Sequence, residues 1–262
     1  MKVKNKEDIV IYITGDTHSD FQRFTEEKFP IQTEMTKNDY VIICGDFGGV
    51  WTFEEESSRE KGALDWLNNK NFTTLFIDGN HENYTRLYNY PVEEWHDGKV
   101  HKIRDSVFHL MRGEIFNIDN KKIFAFGGAR SHDIQEGILN LDEEEKIYEY
   151  RKRGAYFRIR DFSWWDLELP TNQEMENGIK NLEKVNYKVD YIISHCCPTN
   201  IQALLGVGTY KKDYLTDYLQ EISEKCKFKK WYFGHYHDYR QVNEQFTLLY
   251  EDIVPLEYES IF

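Results

Sequence analysis

What most limits the fold of this chain is a pattern that recurs along it: short runs rich in β-branched and aromatic residues, each halted by a glycine or a serine. Residues 9–14 stop at Gly15, 40–44 at Gly45, 73–78 at Gly79, 121–126 at Gly127, 189–193 at Ser194 and 230–233 at Gly234, and residues 246–250 make one more run. Apolar runs of this length, bounded by turn residues, read as strands buried on both faces. Polar segments with helical spacing lie between the first three; Ala63, Leu64, Trp66 and Leu67 come after a charged stretch over 54–61. That alternation predicts an α/β fold. From about 107 to 126 two apolar runs surround the turn-like centre Ile118-Asp119-Asn120-Lys121, which predicts a β-hairpin after the βαβ part. Thr171 and Glu174 have the spacing of a capping box, and Met175, Ile179, Leu182 and Asn186 then share one helical face, supporting the strand at 189–193.

No internal repeat, low-complexity tract or Gly/Ser-rich linker divides the 262 residues, so a single domain over 1–262 is expected. Residues 131–170 stand apart, with an acidic run at 142–145, a basic run at 151–153 and the pair Trp164-Trp165. They are expected to form an insertion or lid-like segment over one end of the sheet. Apolar stretches fall short of the ~20 residues that cross a bilayer, and residues 1–8 carry no apolar stretch or cleavage site of a secretory signal. A soluble, cytoplasmic protein without membrane partners is expected. Lys plus Arg number 33 against 46 Asp plus Glu, a net charge of −13 that opposes non-specific attachment to nucleic acid or anionic membrane. Cys44, Cys196, Cys197 and Cys226 contain no C-x-x-C spacing and read as reduced structural thiols. His96, His101 and His109 lie in no motif and are expected to be structural or surface residues.

The chemistry lies in the loops at the strand ends: Gly15-Asp16-Thr17-His18, Gly45-Asp46-Phe47-Gly48-Gly49, Gly79-Asn80-His81-Glu82, Ser194-His195 and Gly234-His235-Tyr236-His237. In open α/β sheets ligands bind outside the carboxyl ends of the strands, so these loops would be gathered from remote sequence into one crevice. Singly, Asp16 or Asp46 could cap a helix and Asn80 could form a turn. Jointly, two Asp, four His and one Asn, with His81 as a further imidazole, make a donor set that suits Mn²⁺, Fe or Zn²⁺ better than Ca²⁺. Seven ligands exceed one four-coordinate ion; with one carboxylate shared they divide into two groups, as in two-metal sites.

The ordered set Gly-Asp-x-His, Gly-Asp-x-x-Gly, Gly-Asn-His-Glu, a lone strand-terminal His and Gly-His-x-His resembles the calcineurin-like metallophosphoesterase superfamily, and it spans residues 15–237. The resemblance implies two packed mixed β-sheets flanked by helices, a four-layer αββα sandwich. It implies Asp16, His18 and His237 on one metal, Asn80, His195 and His235 on the other, and Asp46 bridging, with His81 beside the metals hydrogen-bonding the phosphate or leaving group. Cofactors so implied are two divalent ions: Mn²⁺, Fe²⁺/Fe³⁺ or Zn²⁺ first, with Mg²⁺, Co²⁺ or Ni²⁺ also used in the family. The implied reaction is hydrolysis of phosphate esters by a water or hydroxide that the metals activate.

Departures from the family pattern narrow the substrate. Protein serine/threonine phosphatases of the superfamily carry Gly-Asp-x-x-Asp-Arg-Gly where this chain has Gly45-Asp46-Phe47-Gly48-Gly49, so their phosphate-clamping arginine is absent here. Ser19 stands where many members have Gly. The expected partner is a small anionic phosphomonoester or phosphodiester, with a nucleotide among the candidates, and the acidic balance disfavours duplex nucleic acid. Rival readings are a nuclease or nucleotide phosphodiesterase, and a metal-dependent binding protein without turnover. Arg130 and His132, after the 121–126 strand, and Tyr236, between two histidines, are candidate substrate contacts; an arginine there would clamp a phosphate oxygen. Asp20 and Glu82 are the candidates for orienting His81.

Overall fold

The computed structural model describes residues 9–206 and 210–257. The expectation made for segment 1–8 falls on residues that lie outside the described ones. Seven strands make the first sheet: β1 (Ile11–Thr14), β2 (Tyr40–Ile43), β3 (Thr73–Phe76), β4 (Val92–Trp95), β5 (Gly98–Arg104), β6 (Val107–Leu110) and the C-terminal β15 (Val254–Pro255), in the order β15-β1-β2-β3-β6-β5-β4. The second has six: β7 (Glu114–Ile118), β8 (Lys121–Phe126), β11 (Tyr191–Ser194), β12 (Lys230–Phe233), β13 (Arg240–Gln241) and β14 (Phe246–Leu248), in the order β13-β14-β12-β11-β8-β7. In both sheets the central strands are parallel and the edges antiparallel.

Side-chain alternation along these doubly buried strands divides the core into layers. Ile11, Ile13, Tyr40, Ile42, Leu75 and Phe108 of the first sheet share one cluster with Phe116, Ile118, Ile123, Tyr191, Ile193 and Tyr232 of the second. On the outer face of the first sheet, Val41, Ile43, Phe76 and Val107 meet Leu64 and Leu67 of helix α1 (Ser58–Asn68). The short α2 (Tyr84–Leu87) and then α3 (Glu144–Lys152) come next in the chain. On the outer face of the second sheet, Phe124, Phe126, Ile192, Trp231 and Phe233 meet α4 (Asn172–Lys184), α5 (Thr199–Leu205) and α6 (Tyr214–Lys225). Helix, sheet, sheet, helix is the expected four-layer arrangement. Each fully buried Leu, Ile or Phe contributes roughly 1.5–3 kcal/mol.

Helix α4 begins as expected, with Thr171 and Glu174 exchanging the capping-box bonds; Asn186 falls two residues beyond its end. The expected hairpin needs a correction. β7 and β8 form it around the Asp119-Asn120 turn, whose positive φ values of 53° and 60° match a two-residue hairpin. Residues 107–110 are instead β6 of the opposite sheet, paired with β3 and β5. The hairpin of β4 and β5, turned by His96 and Asp97 at φ 48° and 71°, has no counterpart among the sequence-based expectations. Within 131–170, β9 (Ile138–Leu139), α3 and β10 (Arg158–Ile159) gather around Leu139, Ile147 and Ile159 as a satellite cluster. All four cysteines are buried and unpaired. Among the described residues no helix is long and apolar enough to cross a membrane.

A buried polar cluster fixes the end of β3. Asp78 accepts hydrogen bonds from Arg112 Nε at 2.8 Å, from the Tyr84 hydroxyl at 3.0 Å and from His109 Nε2 at 3.0 Å. His109 Nδ1 then lies 2.9 Å from His101 Nδ1, so one ring donates and the other accepts. Burial and the neighbouring His109 push the His101 pKa down to about 3, against 6.5 for the ordinary side chain. The unfolded chain therefore takes up this proton first, and the associated stability is complete above pH ~6.5 and lost as pH falls toward ~3. Thermal midpoints should accordingly drop between about pH 7 and pH 5, and His101→Gln should show a shallower drop; equal slopes would contradict the assignment.

Candidate metal and phosphoester site

Asp16 and His18 follow β1, Asp46 follows β2, Asn80 and His81 follow β3, His195 follows β11, and His235 and His237 follow β12. The first sheet thus supplies five of these side chains and the second three, and the carboxyl ends of both sheets meet at one crevice. Leaving a strand this sharply takes unusual backbone. His18, Asp46, His235 and His237 all have positive φ (45°, 45°, 72° and 49°), the left-handed region that costs non-glycine residues energy and concentrates at functional sites. Gly45, at φ 91°, completes the turn; a Cβ there would enter the imidazole of His195.

Asp46 stands at the centre. Its Oδ2 is 3.6 Å from His18 Nε2 and its Oδ1 is 3.3 Å from His195 Nε2, so its two oxygens face different imidazoles. Oδ1 also accepts the backbone N–H of His81 at 2.8 Å. On one side, His237 Nε2 lies 3.2 Å from Asp16 Oδ2 and 3.0 Å from His18 Nε2. Asp16, His18, Asp46 and His237 each offer a donor atom, all within 4.8 Å of one another, a spacing that could hold a metal ion. On the other side, the rings of His195 and His235 are 5.0 Å apart, and the His235 backbone N–H donates to both Asp16 oxygens at 3.0 and 3.1 Å.

Two orphaned atoms show that this donor set fits cations. His195 Nδ1 donates to the Cys44 carbonyl at 2.7 Å, which leaves the buried Nε2 without an aligned hydrogen-bond partner despite its proximity to Asp46. Asn80 Nδ2 donates to Ser131 Oγ at 3.3 Å, and Ser131 donates in turn to Glu168 at 2.6 Å; Asn80 Oδ1 is then buried and unpartnered. Such atoms are costly in an apolar setting. An oxygen and an imidazole nitrogen with open lone pairs are what Mn²⁺, Fe or Zn²⁺ accept. The two carboxylates also make this pocket favour positive charge, which in the absence of a cation is met by a proton on His195. Against its own burial, Asp46 is held well below the usual carboxylate range by His195, and His195 rises to about 10 because Asp46 and Asp16 outweigh its burial. Burial pushes His18 and His235 down, whereas the hydrogen bond to Asp16 raises His237.

A cleft of about 320 Å³ opens over these residues, lined by Asp46, Asn80, His81, His132, His235 and His237, among others. His81 is partly exposed, packed edge-on to His18 at 4.9 Å and 5.9 Å from the ring of Trp51. Burial lowers its pKa, with Asp46 opposing. His132 reaches the cleft, its Nε2 2.7 Å from His235 Nε2. Tyr236 also lines it, but its hydroxyl is turned inward to Gln202 and Cys197 at 3.2 and 3.4 Å. The structure does not bring Arg130 to the cleft: its Nε is 3.4 Å from Asp213, in a half-exposed ion pair. Neither candidate for orienting His81 faces it. Asp20 Oδ1 accepts from the Gln22 amide at 3.0 Å, and buried Glu82 accepts from the Phe47 amide at 2.7 Å, bracing the Asp46 loop.

Asp133 and Tyr210 line the cleft as well, and Arg158 of β10 donates to the two Asp133 oxygens from its Nε and Nη2. Asp133 and Arg158, both within 131–170, act on His81, the first raising and the second lowering its pKa. Neither is among the residues singled out by sequence. Asp133 directly follows a candidate residue, His132, but nothing in the sequence joins it to Arg158.

Compared with models of known protein families, residues 9–239 match the one described as calcineurin-like phosphoesterase. A comparison with curated proteins gave no match.

Proposed function

The chain belongs to the calcineurin-like phosphoesterase family, and we propose that it hydrolyses a small phosphomonoester or phosphodiester at a binuclear metal centre. The family supports metal-dependent phosphoester hydrolysis as the reaction class. The observation that carries the two-metal reading is the shared carboxylate: Asp46 turns one oxygen to His18 and the other to His195. Asp16, His18 and His237 would hold one ion, Asn80, His195 and His235 the second, and Asp46 both. Mn²⁺, Fe or Zn²⁺ suit these donors best, with Mg²⁺, Co²⁺ and Ni²⁺ as alternatives. When bound, such ions supply a water of lowered pKa and positive charge for the phosphoryl oxygens.

The chain's own residues then divide the remaining work. Asp46 fixes the His81 backbone at 2.8 Å, which sets the imidazole over the cleft. Burial keeps that ring neutral before substrate arrives; an anionic phosphoester beside it raises its proton affinity. His81 can so take up a proton on binding and give it to the departing alkoxide. His132 and Asp133 bring the 131–170 segment to the cleft, which supports a role for that segment in holding the ester's organic part, within one domain that includes both sheets. Elemental analysis of Mn²⁺-reloaded protein should count about two ions per chain, and a count of one would overturn the binuclear reading. Relative rates on a chromogenic monoester and the matching diester then choose between phosphatase and phosphodiesterase.

A further inference from the structure

We propose that the cavity running from His18 along helix α1 is a nucleotide subsite, where Trp66 stacks a nucleobase and Arg59 binds a phosphate beyond the one held at the cleft. This rests on the phosphoesterase reading and names its substrate class. The cavity, about 610 Å³, is lined by His18 and Phe21 on one side and by Arg59, Gly62, Ala63 and Trp66 on the other. Through His18 it adjoins the metal-binding cluster. The last four residues are spaced i, i+3, i+4 and i+7, one face of α1, while Glu60, Leu64 and Leu67 turn to the interior.

Three of the four depart from what helix stability and solubility alone would select, and Ala63, a good helix former, is the exception. Arg59 is exposed in the first turn of α1, where the helix dipole disfavours a cation, and its side chain makes no ion pair or hydrogen bond among the described residues. Gly62 weakens a helix interior, yet a Cβ there would meet nothing within 4 Å, so packing does not demand glycine. Together with Ala63 it leaves an open floor between Arg59 and Trp66, which stand about 10 Å apart along the axis. Trp66 is 38% exposed, and the Lys70 ammonium, 3.6 Å from its ring centroid, pins it. A pinned aromatic loses little freedom when a planar group stacks on it, and bases stack on such rings irrespective of sequence. Asp20 also borders the cavity, its Oδ1 engaged by the Gln22 amide.

The test is calorimetric binding to Mn²⁺-reloaded protein of α,β-methylene-ADP, AMP and methylenediphosphonate, which carry base and two phosphates, base and one, and no base. Trp66→Ala should weaken the first two about tenfold and leave methylenediphosphonate unchanged, with Trp66→Phe recovering most of the loss. Arg59→Gln should weaken α,β-methylene-ADP and methylenediphosphonate and spare AMP. Equal losses on all three ligands with Trp66→Ala, no loss with either variant, or α,β-methylene-ADP binding no tighter than methylenediphosphonate would overturn the subsite. If the wild-type protein still hydrolyses a chromogenic ester with added metal, those results overturn the subsite alone; failure of that hydrolysis with every ion overturns the phosphoesterase reading instead.

Discussion

Asp46→Asn should leave a folded protein that binds metal more than about 100-fold more weakly and loses turnover by a comparable factor or more. The magnitude follows from the ligand's position. Altering groups that only orient a metal ligand typically costs 10–100-fold in affinity or activity, and in the proposed binuclear centre Asp46 would serve both ions, its two oxygens lying 3.6 Å from His18 and 3.3 Å from His195. Asparagine keeps the shape and one carbonyl oxygen, so the bond from the His81 amide can persist while the bridging charge is gone. Circular dichroism and a thermal midpoint near that of the wild type establish folding; metal content and kcat/KM are then read on the same preparation. Wild-type metal content with wild-type turnover would remove the shared carboxylate from the mechanism.

His81→Ala should lower kcat by roughly 10²–10⁴, the usual contribution of a positioned acid or base, and should leave metal content unchanged. That pairing separates a proton-transferring residue from a ligand. His81 shares the cleft with the donor set but contributes its backbone N–H, not its ring, to Asp46. The loss should be smallest for esters of acidic alcohols, whose leaving groups need least help from a proton. Loss of bound metal in the variant would place the ring among the ligands; unchanged kcat would remove it from the chemistry.

The parts of this fold that can be read from sequence are those where burial on both faces erases alternation. β1, β2, β3, β8, β11 and β12 are such strands, each mostly buried along its length with glycine or serine at or just beyond its end. The β4–β5 hairpin escapes because Val92 to Glu94 are exposed and carry two adjacent glutamates, and because its turn uses His96-Asp97, a pair without the usual asparagine-glycine signature. Residues 107–110 group with the next apolar run only because they adjoin it in sequence. The chain in fact crosses between sheets over Met111 to Gly113, where Arg112 is buried against Asp78, a tertiary ion pair that no local pattern announces.

The same physics governs the site. Asp16, His18, Asp46, Asn80, His81, His195, His235 and His237 are legible because each sits within a few residues of a strand's carboxyl end, where topology fixes position before any side chain is placed. Arg130 sits as near to β8, but its long side chain is free to choose a partner, and Asp213 attracts it away from the cleft. Asp133 and Arg158 are hidden for a different reason. Two-residue strands such as β9 and β10 have no period to read, so the register that brings Arg158 to Asp133 exists only in three dimensions.

Metal-dependent hydrolysis is tested most directly with a chromogenic phosphomonoester and its matching phosphodiester, offered to chelator-stripped protein before and after Mn²⁺, Fe²⁺, Zn²⁺ or Mg²⁺ is restored singly. The stripped chain should show no turnover, and at least one of these ions should restore it, with the gain lost again in Asp46→Asn. Full turnover by the metal-free protein, or recovery that Asp46→Asn leaves intact, would contradict a reaction run by metals on a shared carboxylate.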